Sequence, residues 1–237
     1  VCADPNNMPL SNTAGEGFEN KLAELFAREL NVSVTYTYFP EVIGFVRNTL
    51  NALRCDVIIG TAVGDDLVQT TTPYYHTTYA LVFKANSGLD GIQTLADPRL
   101  KGKHVGVVAA TPPATILARQ GLMDLARSYP LMVDTRSTSV PQMMMNDLSA
   151  GQIDAAVMWG PMAGYFARKT SPDLTVVPLL KEAVPMDFRI AMGVRRSDQS
   201  WKRTLNRLIA KDQDQIDRIL ASFSVPLLDE QGQPKVP

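Results

Sequence analysis

The residues that could carry chemistry in this chain are few. His76 and His104 are the only histidines, one following a tyrosine pair and one opening a strand-like run, and no nucleophile is placed beside either. Cys2 and Cys55 belong to no CxxC pair and have no histidine near them, which sets aside zinc and thioredoxin-type chemistry. There is no GxSxG, HExxH or P-loop signature. Apart from Asp65-Asp66, which read as solvated surface charges, the carboxylates are scattered. No catalytic residue, metal site or cofactor is expected, and the chain reads as non-catalytic.

The cysteines have a structural reading. Each opens a strand-like run, "VCAD" and "RCDVIIG", and in a parallel sheet two such starts can be neighbours. We expect one disulfide closing a long loop, worth ~4 kcal/mol on the chain-entropy estimate. A disulfide implies an oxidising compartment. Two buried thiols are the alternative, and thiol titration of the unreduced, denatured protein separates the two.

These residues must be positioned by a strand-and-helix alternation. After "VCAD", the segment "GEGFENKLAELFAREL" places Phe18, Leu22, Leu25, Phe26 and Leu30 near a 3.6-residue period, an amphipathic helix opened by glycines. "VSVTYTYF" alternates with period two and is rich in β-branched and aromatic residues, hence a strand. "VIGFVRNTLNAL" reads as a helix and "CDVIIG" as a strand buried on both faces. "YALVFKAN" is another strand. The pattern then restarts with strand "HVGVVAA", helix "PPATILARQGLMDLAR" and helix "SVPQMMMNDLSAGQ", where Ser139 and Gln142 form a candidate capping box and Gly151 a stop. Strand "IDAAVMW", a short helix from "GPMAGYFARK", strand "LTVVPL" and strand "FRIAMGVRR" follow. A long helix carries Trp201, Leu205, Leu208, Ile209, Ile216, Ile219, Leu220 and Phe223 on one stripe, and the polar tail "DEQGQPKVP" is expected to be mobile.

Such alternation calls for parallel sheets with right-handed crossovers. We expect an α/β protein of two lobes: residues 1–82 with 190–237, and an inserted 83–189, linked by hinge strands at about 79–86 and 187–194. The length of 237 residues suits this. Apolar residues make up 45% and charged residues 20%, ordinary for a globular protein. A net charge of −1 gives no bulk field for nucleic acid or an anionic membrane, and no run approaches a membrane span. The chain begins at Val1 with no start methionine or apolar leader; a mature, processed form is expected, although a trimmed chain would look the same.

Several stretches carry a resemblance. "FENKLAELFAREL", "CDVIIG", "TPYYHTTYALV" and "LKGKHVGVV" are similar to amino-acid-binding proteins of the periplasmic solute-binding fold. "VCADPNN" with "GEGFENK", "RNTLNALRCDV", "ATPPATILARQG", "IDAAVMWGPMAGYFA" and "PMDFRIAMGVRR" are more particular. In order, over residues 1 to roughly 225, they resemble the MxaJ/XoxJ group, periplasmic accessory proteins of PQQ-dependent methanol and alcohol dehydrogenases. The resemblance implies the two-lobed type II solute-binding fold and a periplasmic location. It also implies a role in maturing, activating or stabilising a quinoprotein dehydrogenase of the methanol or lanthanide-dependent type, and it does not imply transport.

The resemblance also defines what is missing. In the amino-acid-binding proteins an arginine shortly upstream of the tyrosine loop meets the ligand carboxylate, and an aspartate from the second lobe meets its ammonium. Here no arginine occurs between Arg54 and Arg99; Asp65 and Asp66 stand near the first place and Trp159-Gly160-Pro161 at the second. An enclosed zwitterion needs partners for both charges, so a free amino acid is an unsuitable ligand. What remains at the C-terminal ends of the strands, where α/β sheets place ligands, is Asp4, Asn6, Asn7, Thr61, Tyr74, Tyr75, Thr111, Pro112, Trp159 and Met162. That set suits a neutral ligand or a protein segment presenting apolar groups. Each has a plainer reading. The tyrosines could pack against the hinge, Trp159 could be core, and Asp4-Pro5-Asn6-Asn7 could be a turn. Methionines 143–145 read as filler for a helix face. The expected partner is the dehydrogenase and the expected state a monomer. The alternatives are a solute receptor of an ABC transporter and, least favoured, an enzyme on this scaffold as in the cyclohexadienyl dehydratases.

Overall fold

A computed structural model describes residues 1–235. The chain opens with β1 (Cys2–Ala3), a ribbon of β2 (Asn6–Asn7) and β3 (Ser11–Asn12), and α1 (Phe18–Leu30). Then come β4 (Thr37–Tyr38), the single turn α2 (Phe45–Asn48), β5 (Ile58–Ala62), β6 (Gln69–Thr70) and β7 (Tyr75–Lys84). The middle holds β8 (Val105–Val108), α3 (Pro112–Arg119), β9 (Arg127–Tyr129), α4 (Val140–Ser149) and β10 (Ala155–Trp159). It closes with α5 (Gly160–Thr170), β11 (Leu174–Pro178), β12 (Asp187–Val194) and α6 (Gln199–Ser222).

The strand order β4-β1-β5-β12-β7-β10-β8-β9 holds two parallel groups, β4-β1-β5 and β10-β8-β9, joined by antiparallel β12 and β7. The joint is β7. Its first four residues pair with β12, from Tyr75 opposite Ile190 to Thr78 opposite Asp187. From Tyr79 onward it pairs with β10 on one edge and from Ala80 with β11 on the other. Drawn at that change of partner, the division between lobes falls at Thr78/Tyr79 and, on the return, between Pro178 and Asp187.

Each lobe has its own core. In the first, α1 and α6 lie together over the sheet, with Leu22, Leu25 and Phe26 against Leu205, Ile209 and Ile216. In the second, Leu81, Phe83, Val105 and Val157 pack on one sheet face and Val82, Met144, Met145 and Phe166 on the other. Cys2 and Cys55 are bonded, and their bridge packs with Phe45, Leu50 and Val68.

Several elements are shorter or longer than periodicity predicts. Of the strand expected over 32–39 only Thr37–Tyr38 pairs, because it is the sheet edge and Val32 is exposed. The helix expected over 42–53 contracts to one turn, bounded by left-handed Gly44 (φ 96°) and Leu53 (φ 56°). The helix expected from 112 stops at Arg119, since Gly121 turns left-handed (φ 68°), and Arg127–Tyr129 joins β8 as a strand. The capping box of α4 does not form: Ser139 makes no side-chain cap bond and the Gln142 amide donates to Asn146 instead. The tail is not loose as far as residue 235. The Leu228 amide donates to the His76 carbonyl (2.9 Å), the Thr77 hydroxyl donates to Pro226 O (2.7 Å), and Lys235 pairs with Asp217.

Candidate functional site

Between the lobes lies a cavity of about 290 Å³. The first lobe contributes Asn6, Asn7, Leu10 and Glu41 from the segments after β1 and β4. The second contributes Val108 and Thr111 after β8, Leu131, Val133 and Thr135 after β9, Val140, Pro141 and Met144 from α4, and Met158, Trp159 and Met162 around the start of α5. Tyr79, the first β7 residue beyond the crossing, forms part of the wall. The site therefore sits where strand ends meet helix starts, as parallel sheets dictate.

Helix starts ordinarily present free N–H groups to an anion. Here α3, α4 and α5 each carry proline in the first two positions, Pro112-Pro113, Pro141 and Pro161. Proline has no N–H to offer. The described lining contains no Lys, Arg or His. Its one carboxyl group is that of Glu41, whose Oε2 accepts from Asn7 Nδ2 (3.1 Å). Burial, then the neighbouring Asp4, push the Glu41 carboxyl from its ordinary 4.5 up to about 7, against the Asn7 bond. Glu19 lies behind it, its carboxyl pushed well up by burial and by Glu41 and Asp4. The cavity holds no counter-charge for a carboxylate and no nucleophile–base pair. Among the described residues no group of three acidic, His or Cys side chains is arranged to hold a metal ion.

Among the described residues two hydrogen bonds cross the cleft between the strand-end loops, and both involve Thr135. Its carbonyl accepts from Asn6 Nδ2 (2.9 Å), and its hydroxyl donates to Asp4 Oδ1 (2.7 Å). Asp4 is 1% exposed. It also takes the Asn6 amide (2.9 Å) and the Glu41 amide (2.7 Å), so one buried carboxylate organises both strand-end loops and the bridge.

The residues singled out from sequence fall into three groups. Asn6, Asn7, Thr111, Trp159 and Met162 share the cavity, with Asp4 beneath its floor. Thr61 lies in the adjoining groove, its hydroxyl donating to Asp65 Oδ2 (3.0 Å), and Pro112 is exposed outside the lining. Tyr74 and Tyr75 do not line the cavity. They are 2% and 7% exposed, packed with Phe18 in the first-lobe core. The reason is local: β7 starts at Tyr75 rather than Tyr79, so what reads as a loop is a strand under α1. Asp65 shapes a turn, accepting from the Leu67 amide (2.9 Å) as well as Thr61.

Glu41, Tyr79 and the loop from Pro130 to Thr138 were not singled out by sequence. Glu41 follows the strand "VSVTYTYF", so the rule that ligands gather at strand ends pointed to it; Thr135 had no such signal.

No family model matches the chain. It is 31% identical over 245 residues to Protein MoxJ of Methylorubrum extorquens, covering 96% of this chain and 81% of that protein. The chain belongs to the MoxJ family. Its fold matches the crystal structure of the periplasmic binding protein XoxJ from Methylobacterium extorquens AM1 with a TM-score of 0.84, at 40% identity, covering 97% of this chain and 99% of that one. MxaJ from Methlophaga aminisulfidivorans MPT matches with a TM-score of 0.82 at 27% identity, covering 96% and 99%. The two-lobed periplasmic-binding-protein fold is thus established for this MoxJ-family chain, and the group of MxaJ and XoxJ is the one its motifs resemble. No helix among the described residues is long and apolar enough to cross a membrane.

Proposed function

We propose that this MoxJ-family chain is a non-catalytic periplasmic accessory protein for a PQQ-dependent methanol or alcohol dehydrogenase. It assists maturation or activation by binding the dehydrogenase or a segment of it. The observation that carries the reading is the absence of any cation from the described cavity lining, in a chain of this family. A receptor for amino acids needs a fixed positive partner for the carboxylate, and loss of such a partner at a buried ionic group costs ~2–5 kcal/mol. A wall of tryptophan, tyrosine, methionine and proline with a few amides suits groups presented by another protein. The experiment is capture of the apo-dehydrogenase by the purified chain, together with dehydrogenase activity in a strain lacking it. Failure of capture with undiminished activity refutes the role.

A second reading is a transport receptor for a small ligand other than an amino acid. The cavity volume of about 290 Å³ and the bridge across the cleft favour it. Native mass spectrometry of the freshly isolated protein decides, since a retained small molecule favours this reading. A folded-state ligand also raises the melting midpoint.

A further inference from the structure

We propose that the cavity between the lobes is a site for an organic cation: an ammonium or guanidinium group on an apolar body, its head at Glu41 and its body against Tyr79, Trp159 and Met162. The inference uses the same cleft as the accessory role but does not require the dehydrogenase as the source of the group.

Three observations converge. First, Glu41 has unused acceptor capacity. Its Oε2 takes one bond, from Asn7 Nδ2, and no hydrogen bond reaches Oε1 among the described residues. Asp4, by contrast, already accepts three bonds, from the amides of Asn6 and Glu41 and the Thr135 hydroxyl. A neutral apolar ligand would leave Glu41 poorly satisfied and an anion would be repelled.

Second, Glu19 stands behind Glu41 at 7% exposure, and no hydrogen bond reaches its carboxyl among the described residues. Its Oε1 occupies the space beside Gly60, where a Cβ would approach to 2.2 Å, so a side chain there would displace it. Gly60 lines the groove that adjoins the cavity through Glu41. Burial and its two acidic neighbours favour the proton on Glu19, so the negative charge at this end of the cavity is left to Glu41. The other charged groups on that groove are Asp65 and exposed Arg47, and Arg47 forms no ion pair among the described residues.

Third, the opposite end is aromatic. Tyr79, Trp159 and Phe188 meet edge to face with centroids 5.2, 5.6 and 6.1 Å apart. Tyr79 and Trp159 line the cavity, and their rings offer apolar surface to the body of the ligand. The positive ends of α3, α4 and α5 belong to the second lobe, so a cation held at Glu41 lies on the first-lobe side, away from them.

Calorimetric titration with three probes of matched shape tests this: n-pentylammonium, pentan-1-ol and pentanoate, at pH 8. Binding of the ammonium alone is expected. It should weaken at least tenfold in Glu41→Gln and in Trp159→Ala, weaken when the pH is lowered from 8 to 6, and persist in Asp65→Asn on the adjoining groove. An acetylated, amidated Leu-Lys-Leu peptide distinguishes sources: tighter binding than pentylammonium assigns a lysine of a protein segment, weaker binding a free amine. Equal binding of the alcohol, undiminished binding in Glu41→Gln at unchanged melting temperature, or binding of neither cation overturns the proposal. Dehydrogenase capture is measured separately on the same variants. In the unsubstituted protein, capture without ammonium binding refutes this site and leaves the accessory role standing; ammonium binding without capture refutes the role alone.

Discussion

Replacing Thr135 by valine should open the cleft without unfolding either lobe. Both hydrogen bonds that cross between the strand-end loops involve Thr135, and its hydroxyl supplies the one to a charged partner, Asp4, at 2.7 Å. Valine keeps the shape and removes that donor. Asp4 Oδ1 still accepts from the Asn6 amide, so the buried carboxylate is not left without a partner. A hydrogen bond to a charged group contributes ~1.5–3 kcal/mol net, which converts to a shift of roughly 10- to 150-fold towards the open form. Spin labels at Ile43, which is 87% exposed, and at Arg136, beside the bridge, flank the mouth from the two lobes. Pulsed dipolar distance distributions between them should lose short distances in Thr135→Val and keep them in Thr135→Ser, which retains the hydroxyl. An unchanged distribution in the valine variant, or an equal change in the serine variant, would show that the bridge does not hold the lobes together.

Removing the Cys2–Cys55 bridge, which spans 53 residues, should cost ~4 kcal/mol of stability on the chain-entropy estimate. That is a melting-point loss of ~8–16 °C for a chain of this size, read by calorimetry with and without reductant. Folding stability should fall as the pH rises from about 4.5 to about 7. Glu41 binds its proton more tightly folded than unfolded, so its contribution is present at low pH and lost through that window. Urea titrations across it should show the slope, flattened in Glu41→Gln. Gly164→Ala would put a methyl group 1.8 Å from the Ser224 carbonyl oxygen, and overpacking of this kind costs ~1–3 kcal/mol. A lower urea midpoint is expected, and an unchanged one would mean that the turn after α6 yields freely.

The alternation of strands and helices was legible because buried strands such as "CDVIIG" and "IDAAVMW" are short apolar runs, and because α1 and α6 carry long regular stripes. What escaped depended on neighbours rather than on periodicity. Whether 32–39 makes a long strand is decided by the edge it occupies. Whether Tyr74 and Tyr75 face a ligand or a core is decided by the point at which β7 begins to pair, four residues earlier than the apolar pattern suggests. In the site, Asn6, Asn7, Trp159 and Met162 follow from the rule that ligands gather at strand ends. Thr135 was invisible because its role needs two loops, 131 residues apart in the chain, to meet at Asp4.

The last stretch of the chain lies across the pivot. Pro226 takes the Thr77 hydroxyl, Leu228 is bonded to His76, the Asp229 carbonyl meets the His76 ring (2.9 Å), and Arg189 on the returning strand reaches the Glu230 carbonyl (3.0 Å). Residues 226–230 thus brace β7 and β12, the two strands that join the lobes. A disturbance of this segment therefore bears on the joining strands while leaving every residue of the described cavity lining in place.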